Sequence, residues 1–248
     1  LMEASYEMFG GTDPKIVEPF MAAIECIHTY SLVHDDLPEM DDDAYRRGKL
    51  TTHKKFGQAM GVLAGDALLN YAFEIVAKAL VAQSGDAKAT KAFEVLACKA
   101  GIYGMIGGQV VDVESEKKNE TVERERLDFI YRLKTGALLE ASLMVGAILA
   151  GADDAQVKKM EDAGTKLGLA FQIQDDILDV TSTVEVLGKP IGSDEKNQKA
   201  TYVSFEGIDK AKQDVALFSE EAVAILEECS GEHAFLRELF LYLIHREK

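Results

Sequence analysis

The sequence predicts an all-α fold, on three observations. Helix formers (Ala, Leu, Glu, Lys, Met) dominate a chain that holds only 4 Pro and no Trp among its 248 residues. Apolar residues make up 47% and recur at helical spacing, while the strict alternation of a half-buried strand is scarce. Helix starts and stops punctuate the chain at intervals, and no repeat, low-complexity tract or linker divides it. One domain of many packed helices is the simplest architecture for such a chain.

The elements follow in order. Leu1–Phe9 is helical in pattern, lacks an N-cap, and stops at Gly10-Gly11. A helix with no start suggests a segment preceding Leu1. Asp13 as N-cap with Pro14 at the first helical position opens the second helix. It runs through Phe20, Ile24, Ile27 and Ser31 into an acidic cluster, His34-Asp35-Asp36-Leu37-Pro38-Glu39-Met40-Asp41-Asp42-Asp43. Pro38 should end it there, and residues 39–52 read as a polar loop or lid. Helices are expected over about 56–82 and 87–106, the latter ended by Gly107-Gly108, with a charged loop from Glu114 to Glu120. Thr121 can cap a helix over about 122–150, with Gly151 beyond it, and Asp153 or Asp154 the next, about 155–182. A polar loop spans Gly188 to Lys199, and helices over about 208–229 and 232–246 finish the chain.

Composition excludes several functions. A net charge of −16 argues against nucleic acid and anionic membrane as partners. The three cysteines, Cys26, Cys98 and Cys229, lie far apart in apolar helical contexts and fit a reducing, cytoplasmic setting better than a disulfide frame or zinc site. The most apolar stretch, Gly136 to Gly151, is interrupted by Glu140 and falls short of the roughly 20 residues a bilayer span takes, so no stable membrane anchor is expected.

The chemistry lies in two acidic clusters. Carboxylates set in apolar helical sequence are costly to bury unless neutralised. In the second cluster, Asp175-Asp176-Ile177-Leu178-Asp179, Asp175 and Asp179 are one helical turn apart on one face. Mg²⁺ suits such a pair, being shared between one or two carboxylates and substrate phosphates. A solvated acidic stripe is the bland alternative, which the apolar flanks Leu167, Ala170, Ile173 and Leu178 disfavour. In the first cluster a straight helix would part Asp35 from Asp41; a bulge at Pro38 would return Asp41 to the same ion. An EF-hand starting at Asp41 fails, with Arg46 at its sixth position and Thr52 at its twelfth. Arg46, Arg47, Lys134, Lys189 and Lys199 supply cations close in sequence to these motifs, each alone readable as a surface charge. Acids for metal, bases for phosphate and apolar helices for a tail together suggest a metal-chelated, anionic head group with an apolar chain.

His34-Asp35-Asp36-Leu37-Pro38-Glu39-Met40-Asp41 with Arg46-Arg47-Gly48 resembles the first aspartate-rich motif of the trans-polyprenyl diphosphate synthases, and Phe171-Gln172-Ile173-Gln174-Asp175-Asp176-Ile177-Leu178-Asp179 resembles their second. Gly65-Asp66-Ala67-Leu68, Gly108-Gln109, Lys134-Thr135-Gly136 and Gly188-Lys189 match in order and approximate spacing. The likeness covers nearly the whole chain and is nearest the short-chain branch, farnesyl or geranylgeranyl diphosphate synthase. It implies one polyprenyl synthase domain over residues 1–248, an antiparallel helical bundle around a deep central cavity (the isoprenoid synthase fold), and a cytoplasmic homodimer. It implies that Asp35, Asp41 and Asp175 ligate Mg²⁺, three ions with substrate bound, supported by Asp36 and Asp179. Arg46, Lys134, Thr135, Gln172, Lys189 and Lys199 would hold an allylic diphosphate (dimethylallyl or geranyl), and His28 and Arg47 the isopentenyl diphosphate. His28 stands two turns before Asp35 on the same face.

The implied reaction is ionisation of the allylic diphosphate and attack by the isopentenyl double bond, the released diphosphate being able to take the proton. Asp35, Asp36, Asp41, Arg46, Lys134, Asp175 and Lys189 form the implied catalytic set. Tyr30 and Ser31, five and four residues before Asp35, stand where large residues go with short products in that family, which favours farnesyl diphosphate. The family's Gly-Lys-x-Arg-x-Arg-Pro motif lies upstream of anything present, in keeping with the capless first helix. Among rivals, a terpene cyclase usually has Asn, Ser or Thr, and Glu in its second motif. A non-catalytic regulatory subunit commonly loses one aspartate motif, and an acidic interaction protein would not need the ordered basic motifs.

Overall fold

The computed structural model describes residues 1–83, 85–118, 123–181 and 201–244. Within these, α1 (Met2–Met8) and α2 (Pro14–Asp35) open the chain, and a two-residue hairpin of β1 (Tyr45–Arg46) and β2 (Lys49–Leu50) follows. Then come α3 (Thr52–Phe56), α4 (Gln58–Ala82), α5 (Ala87–Ala100), α6 (Met105–Lys118), α7 (Arg124–Ile130), a π-helical turn (Tyr131–Gly136) and α8 (Ala137–Ala150). The chain closes with α9 (Asp154–Thr181), α10 (Tyr202–Glu206), α11 (Ile208–Glu227) and α12 (Ala234–Ile244). The fold is the expected all-α bundle.

Local chemistry accounts for most boundaries. The Asp13 carboxylate accepts the Lys15 N–H at 3.0 Å with Pro14 at the first position of α2. Asp86 caps α5 in the same way at 2.8 Å. Gly151 closes α8 at φ +95°, a conformation that favours glycine. The helix α8 is the core element. It packs against α1, α2, α5 and α9, and Ala141, Leu143, Val145, Ala147 and Leu149 are all buried.

Three helical runs, Pro14–Asp35, Gln58–Ala82 and Arg124–Ala150, are long and apolar enough to cross a membrane by length and composition alone. This corrects the view that the stretch from Gly136 to Gly151 is too short, because it belongs to a continuous run of 27 residues. The middle of that run carries Glu140, 1% exposed, ion-paired with Lys99 and accepting a hydrogen bond from Thr165 Oγ1 at 2.6 Å. Breaking such a buried pair strands a charge, so it ties α5, α8 and α9 together.

Other departures have physical reasons. The helix expected over 87–106 breaks at Gly101–Gly104, where the Gly104 N–H bonds the Gly101 carbonyl at 3.0 Å. Gly107-Gly108 does not stop a helix; both lie inside α6, which continues to Lys118 through the run expected as a charged loop. A Cβ on Gly108 would come within 2.8 Å of Leu133 C and Lys134 Cα, so glycine permits α6 to press on the π turn. The short hairpin and α10 were not foreseen. The Thr121 cap, the Gly188–Lys199 loop with Lys189 and Lys199, and the ends expected near 182 and 246 lie outside the described residues.

Candidate functional site

Where α2 ends, the backbone does what Pro38 implied. The Asp41 N–H bonds the Asp35 carbonyl at 3.0 Å, and the Leu37 carbonyl accepts from Met40 at 2.9 Å and Asp42 at 3.1 Å. Asp42 takes the left-handed conformation at φ +50° to complete the turn, with its carboxylate held by Lys54 at 2.9 Å. The turn folds back so that Asp41 follows directly on the last turn of α2.

Asp35 and Asp36 then diverge. Asp35 accepts a hydrogen bond from Gln109 Nε2 at 2.6 Å and lies 3.8 Å from Lys134 Nζ. Lys134 also donates to Asp112 Oδ2 at 2.6 Å. One carboxylate from the first motif thus meets the Gly108-Gln109 and Lys134-Thr135 motifs, which α6 and the π turn bring together through the glycine contact. Asp36 is 4% exposed, and its Oδ1 accepts from both Arg46 Nε at 2.8 Å and an Arg46 terminal nitrogen at 2.7 Å. Burial pulls the Arg46 guanidinium down, but Asp36, with Asp35 and Asp43, outweighs it and holds it above its ordinary value.

A cleft of about 430 Å³ opens beside this pair, lined among others by Glu25, His28, Asp36, Arg46, Arg47 and Thr52. Burial pushes the His28 imidazole below its ordinary value; Glu25 opposes the shift, and Arg47 and Arg46 add to it. The shift favours the neutral imidazole over a third cation. Arg47 sits at the hairpin tip at φ +51°, followed by Gly48 at φ +73°. Successive positive φ values suit a two-residue hairpin but normally call for Asn-Gly. Arg in this conformation is strained, and such strain is often found at ligand-binding positions.

The second motif lies in the last third of α9. Asp175 is exposed, whereas Asp176 and Asp179 are each 4% exposed. Thr135 Oγ1 donates to Gln172 Oε1 at 2.7 Å, joining the π turn to α9. A Cβ on Gly168 would lie 2.8 Å from Gly136 Cα, so a glycine pair brings the helices into this contact. Tyr131 Oη donates to Asp176 Oδ2 at 2.5 Å, and the Tyr202 N–H donates to the same oxygen at 2.6 Å. The Tyr202 hydroxyl in turn donates to Asp214 at 2.7 Å and is pushed up to about 12 by burial and that carboxylate, with Arg124 over the ring pulling the other way.

Tyr30 is buried, its ring edge-on to His34 at 5.7 Å between centroids, and its hydroxyl has no hydrogen-bond partner. His34 Nε2 reaches the Val62 carbonyl at 3.0 Å, across Gly65, where a Cβ would come within 2.7 Å of His34 Cε1. Ser31 turns its hydroxyl back onto the His28 carbonyl at 2.8 Å.

The donor set suits Mg²⁺ by chemistry, being hard oxygens only, with the Asp41 N–H on the Asp35 carbonyl and Asp175 exposed on α9. Among the described residues no three His, Cys, Asp or Glu side chains are gathered as a metal cluster. Two residues with clear local roles, Tyr131 and Asp112, escaped sequence reasoning. Asp112 offered a signal, three residues after Gln109 and so on the same helical face, and Tyr131 offered one too, three residues before Lys134.

The polyprenyl synthetase family model matches residues 1–236. The chain is 45% identical over 226 residues to a farnesyl diphosphate synthase of Geobacillus stearothermophilus, covering 91% of this chain and 75% of that protein. It is 48% identical over 219 residues to a geranylgeranyl diphosphate synthase of Cyanophora paradoxa, covering 88% and 72%. A geranyltransferase from Helicobacter pylori, solved with magnesium and isoprenyl diphosphate, superposes with a TM-score of 0.77 at 32% identity, covering 98% of this chain and 86% of that one. With its two aspartate motifs in place and this match along nearly its whole length, the chain belongs to the polyprenyl synthetase family of prenyltransferases.

Proposed function

We propose that this prenyltransferase condenses isopentenyl diphosphate with dimethylallyl or geranyl diphosphate, releasing diphosphate and making farnesyl diphosphate, in the cytoplasm. The observation that carries this reading is the meeting of Asp35 with Gln109, Lys134 and Asp112 beside a cleft holding His28, Arg46 and Arg47. Two diphosphates need two separate groups of cations and donors; Lys134 among the carboxylates serves one, and His28 with Arg47 in the cleft the other.

Asp35, Asp41 and Asp175, aided by Asp36 and Asp179, would hold three Mg²⁺ ions against the allylic diphosphate. Bound there, the ions supply Lewis-acid stabilisation of the charge that develops on the leaving group. Lys134 and Thr135 on the π turn, with Gln172, Lys189 and Lys199, bind and orient the same diphosphate. Their charges act at short range where water is scarce, so they weigh more than in bulk solvent. Arg46 has a double part. Its hydrogen bonds to Asp36 lock the hairpin against α2, and its remaining N–H groups face phosphate. His28 donates to the isopentenyl diphosphate as a neutral imidazole, and Arg47 is the mobile-stemmed cation for the same group. Buried apolar walls exclude the water that would quench an allylic cation.

Tyr30 is the floor that stops the growing tail, favouring the fifteen-carbon product, with Ser31 one residue on. A second copy of the chain covers the outward face of α4, whose most apolar window is only 22% buried and exposes Met60, Leu63 and Tyr71; sedimentation would then report a dimer.

The test is incubation with Mg²⁺, isopentenyl diphosphate and either allylic diphosphate, then identification of the prenol after dephosphorylation. Farnesol supports the reading. Geranylgeraniol assigns the longer product, and no product with either substrate makes the chain a non-catalytic partner of another prenyl synthase.

A further inference from the structure

Asp175 and Asp176 are neighbours with opposite surroundings. Asp175 is exposed, while Asp176 is buried at the place where three elements meet. On Asp176 Oδ2 converge the Tyr131 hydroxyl at 2.5 Å and the Tyr202 backbone N–H at 2.6 Å, and these two donors are themselves 3.3 Å apart. Tyr131 is the first residue of the π turn, three before Lys134 and four before Thr135. Tyr202 is the first residue of α10, and its own hydroxyl is anchored on Asp214 of α11. An oxygen that already accepts two short hydrogen bonds in a buried place has little left for a cation.

We propose that Asp176 acts as a positioning residue through Tyr131, setting where the π turn presents Lys134 and Thr135 relative to the acidic face of α9. The inference rests on the prenyltransferase reading, in which those two residues hold the allylic diphosphate. A π turn carries one more residue per turn than the α-helix around it, so the side chains beyond it are rotated relative to those before it. Something must fix that rotation against α9. At the glycine pair Gly136 and Gly168 the two backbones touch without interlocking side chains. Thr135 to Gln172 is a polar tie between them, and Tyr131 to Asp176 is a second. The Tyr202 N–H on the same oxygen fixes the start of α10 to this junction, so one carboxylate orders three segments.

The experiment compares Asp176→Asn, Asp175→Asn and Tyr131→Phe with the unaltered protein. Asparagine keeps an oxygen that accepts both hydrogen bonds, yet it is a poor substitute for a carboxylate on Mg²⁺. Two readouts are taken: calorimetric binding of Mg²⁺ with inorganic pyrophosphate, which needs no turnover, and steady-state kinetics with geranyl and isopentenyl diphosphates. Asp176→Asn should bind Mg²⁺ and pyrophosphate within about twofold of the unaltered protein, whereas Asp175→Asn should weaken binding by about tenfold or more. Tyr131→Phe should raise KM for geranyl diphosphate by roughly tenfold and leave KM for isopentenyl diphosphate within about twofold. A merely structural loss would not separate the two substrates. If Asp176→Asn weakens Mg²⁺–pyrophosphate binding as much as Asp175→Asn, Asp176 is a ligand and the proposal fails. It also fails if Tyr131→Phe changes both KM values alike or neither. Failure of the prenyltransferase reading shows separately, as absence of any prenyl product from the unaltered protein.

Discussion

Gly108 is where a single methyl group should do the most damage for the least chemistry. A Cβ there would lie 2.8 Å from both Leu133 C and Lys134 Cα, and these are backbone atoms that no rotamer change can move aside. Ordinary van der Waals contact begins at 3.4 Å, so relief takes at least about 0.6 Å of separation between α6 and the π turn, and the Lys134 nitrogen, nearer still, raises this to roughly 1 Å. Overpacking of this kind costs about 1–3 kcal/mol of stability. The displacement also parts Gln109 from Asp35 and Lys134 from Asp112, contacts now at 2.6 Å each. A misplacement of about 1 Å in a substrate-holding group can cost roughly 100-fold in rate. Gly108→Ala should therefore lower kcat/KM for the allylic diphosphate by about two orders of magnitude, while urea denaturation shows a folded protein with a modestly lower midpoint. If Gly108→Ala has unchanged kcat/KM with a stability loss of that size, α6 does not position Lys134, and the reasoning is refuted.

Three further outcomes follow from the site. Arg47→Asn replaces a strained left-handed residue with one that tolerates φ +51°, so the protein should gain up to about 1 kcal/mol in urea denaturation while KM for isopentenyl diphosphate rises; a loss of stability would mean that the Arg47 stem packs usefully. Tyr30→Phe removes a buried hydroxyl that has no partner and should stabilise by about 1 kcal/mol with the product unchanged, whereas Tyr30→Ala should lengthen the product seen by prenol chromatography, and an identical chain length would remove Tyr30 as the floor. His28 is held below its ordinary value by burial and by the Arg47 and Arg46 charges, so the unfolded chain takes up its proton first and stability should fall as pH drops through and below the ordinary histidine range. Inorganic pyrophosphate in the cleft should raise the His28 midpoint in an NMR titration, and a midpoint unmoved by pyrophosphate would place the anion elsewhere.

The bundle was readable because its signals are local. Asp13-Pro14 and Gly151 act within one turn of themselves, and the structure shows each doing so. What escaped depends on partners distant in sequence. Gly107-Gly108 looks like a stop because mid-helix glycine costs roughly 1 kcal/mol relative to alanine. The compensating contact with Leu133 and Lys134 lies some 25 residues further along the chain and cannot be seen from the glycines alone. The π turn is hidden for the same reason, since Tyr131–Gly136 has an ordinary helical composition and the partner of Tyr131, Asp176, lies 45 residues further along on α9. Arg46-Arg47-Gly48 announced phosphate chemistry by residue type, but not that a hairpin would set Arg46 and Arg47 to different tasks.

That division runs through the site as a whole. Each acidic motif places two adjacent aspartates in one sequence symbol, and in each the fold sends them different ways. Asp35 meets Gln109 and lies near Lys134, while Asp36 is buried on Arg46. Asp175 is exposed, while Asp176 is buried on Tyr131 and the start of α10. Consecutive residues on a helix point about 100° apart, so an adjacent pair cannot serve one ion with equal geometry. It can serve an ion with one carboxylate and the scaffold with the other. A buried carboxylate is costly unless fully hydrogen-bonded, and Asp36 and Asp176 each take two donors on one oxygen. The doubled aspartate then has a structural use besides any metal: the buried residue of each pair ties a cation-bearing segment, the hairpin in one case and the π turn in the other, to the helix that carries the pair.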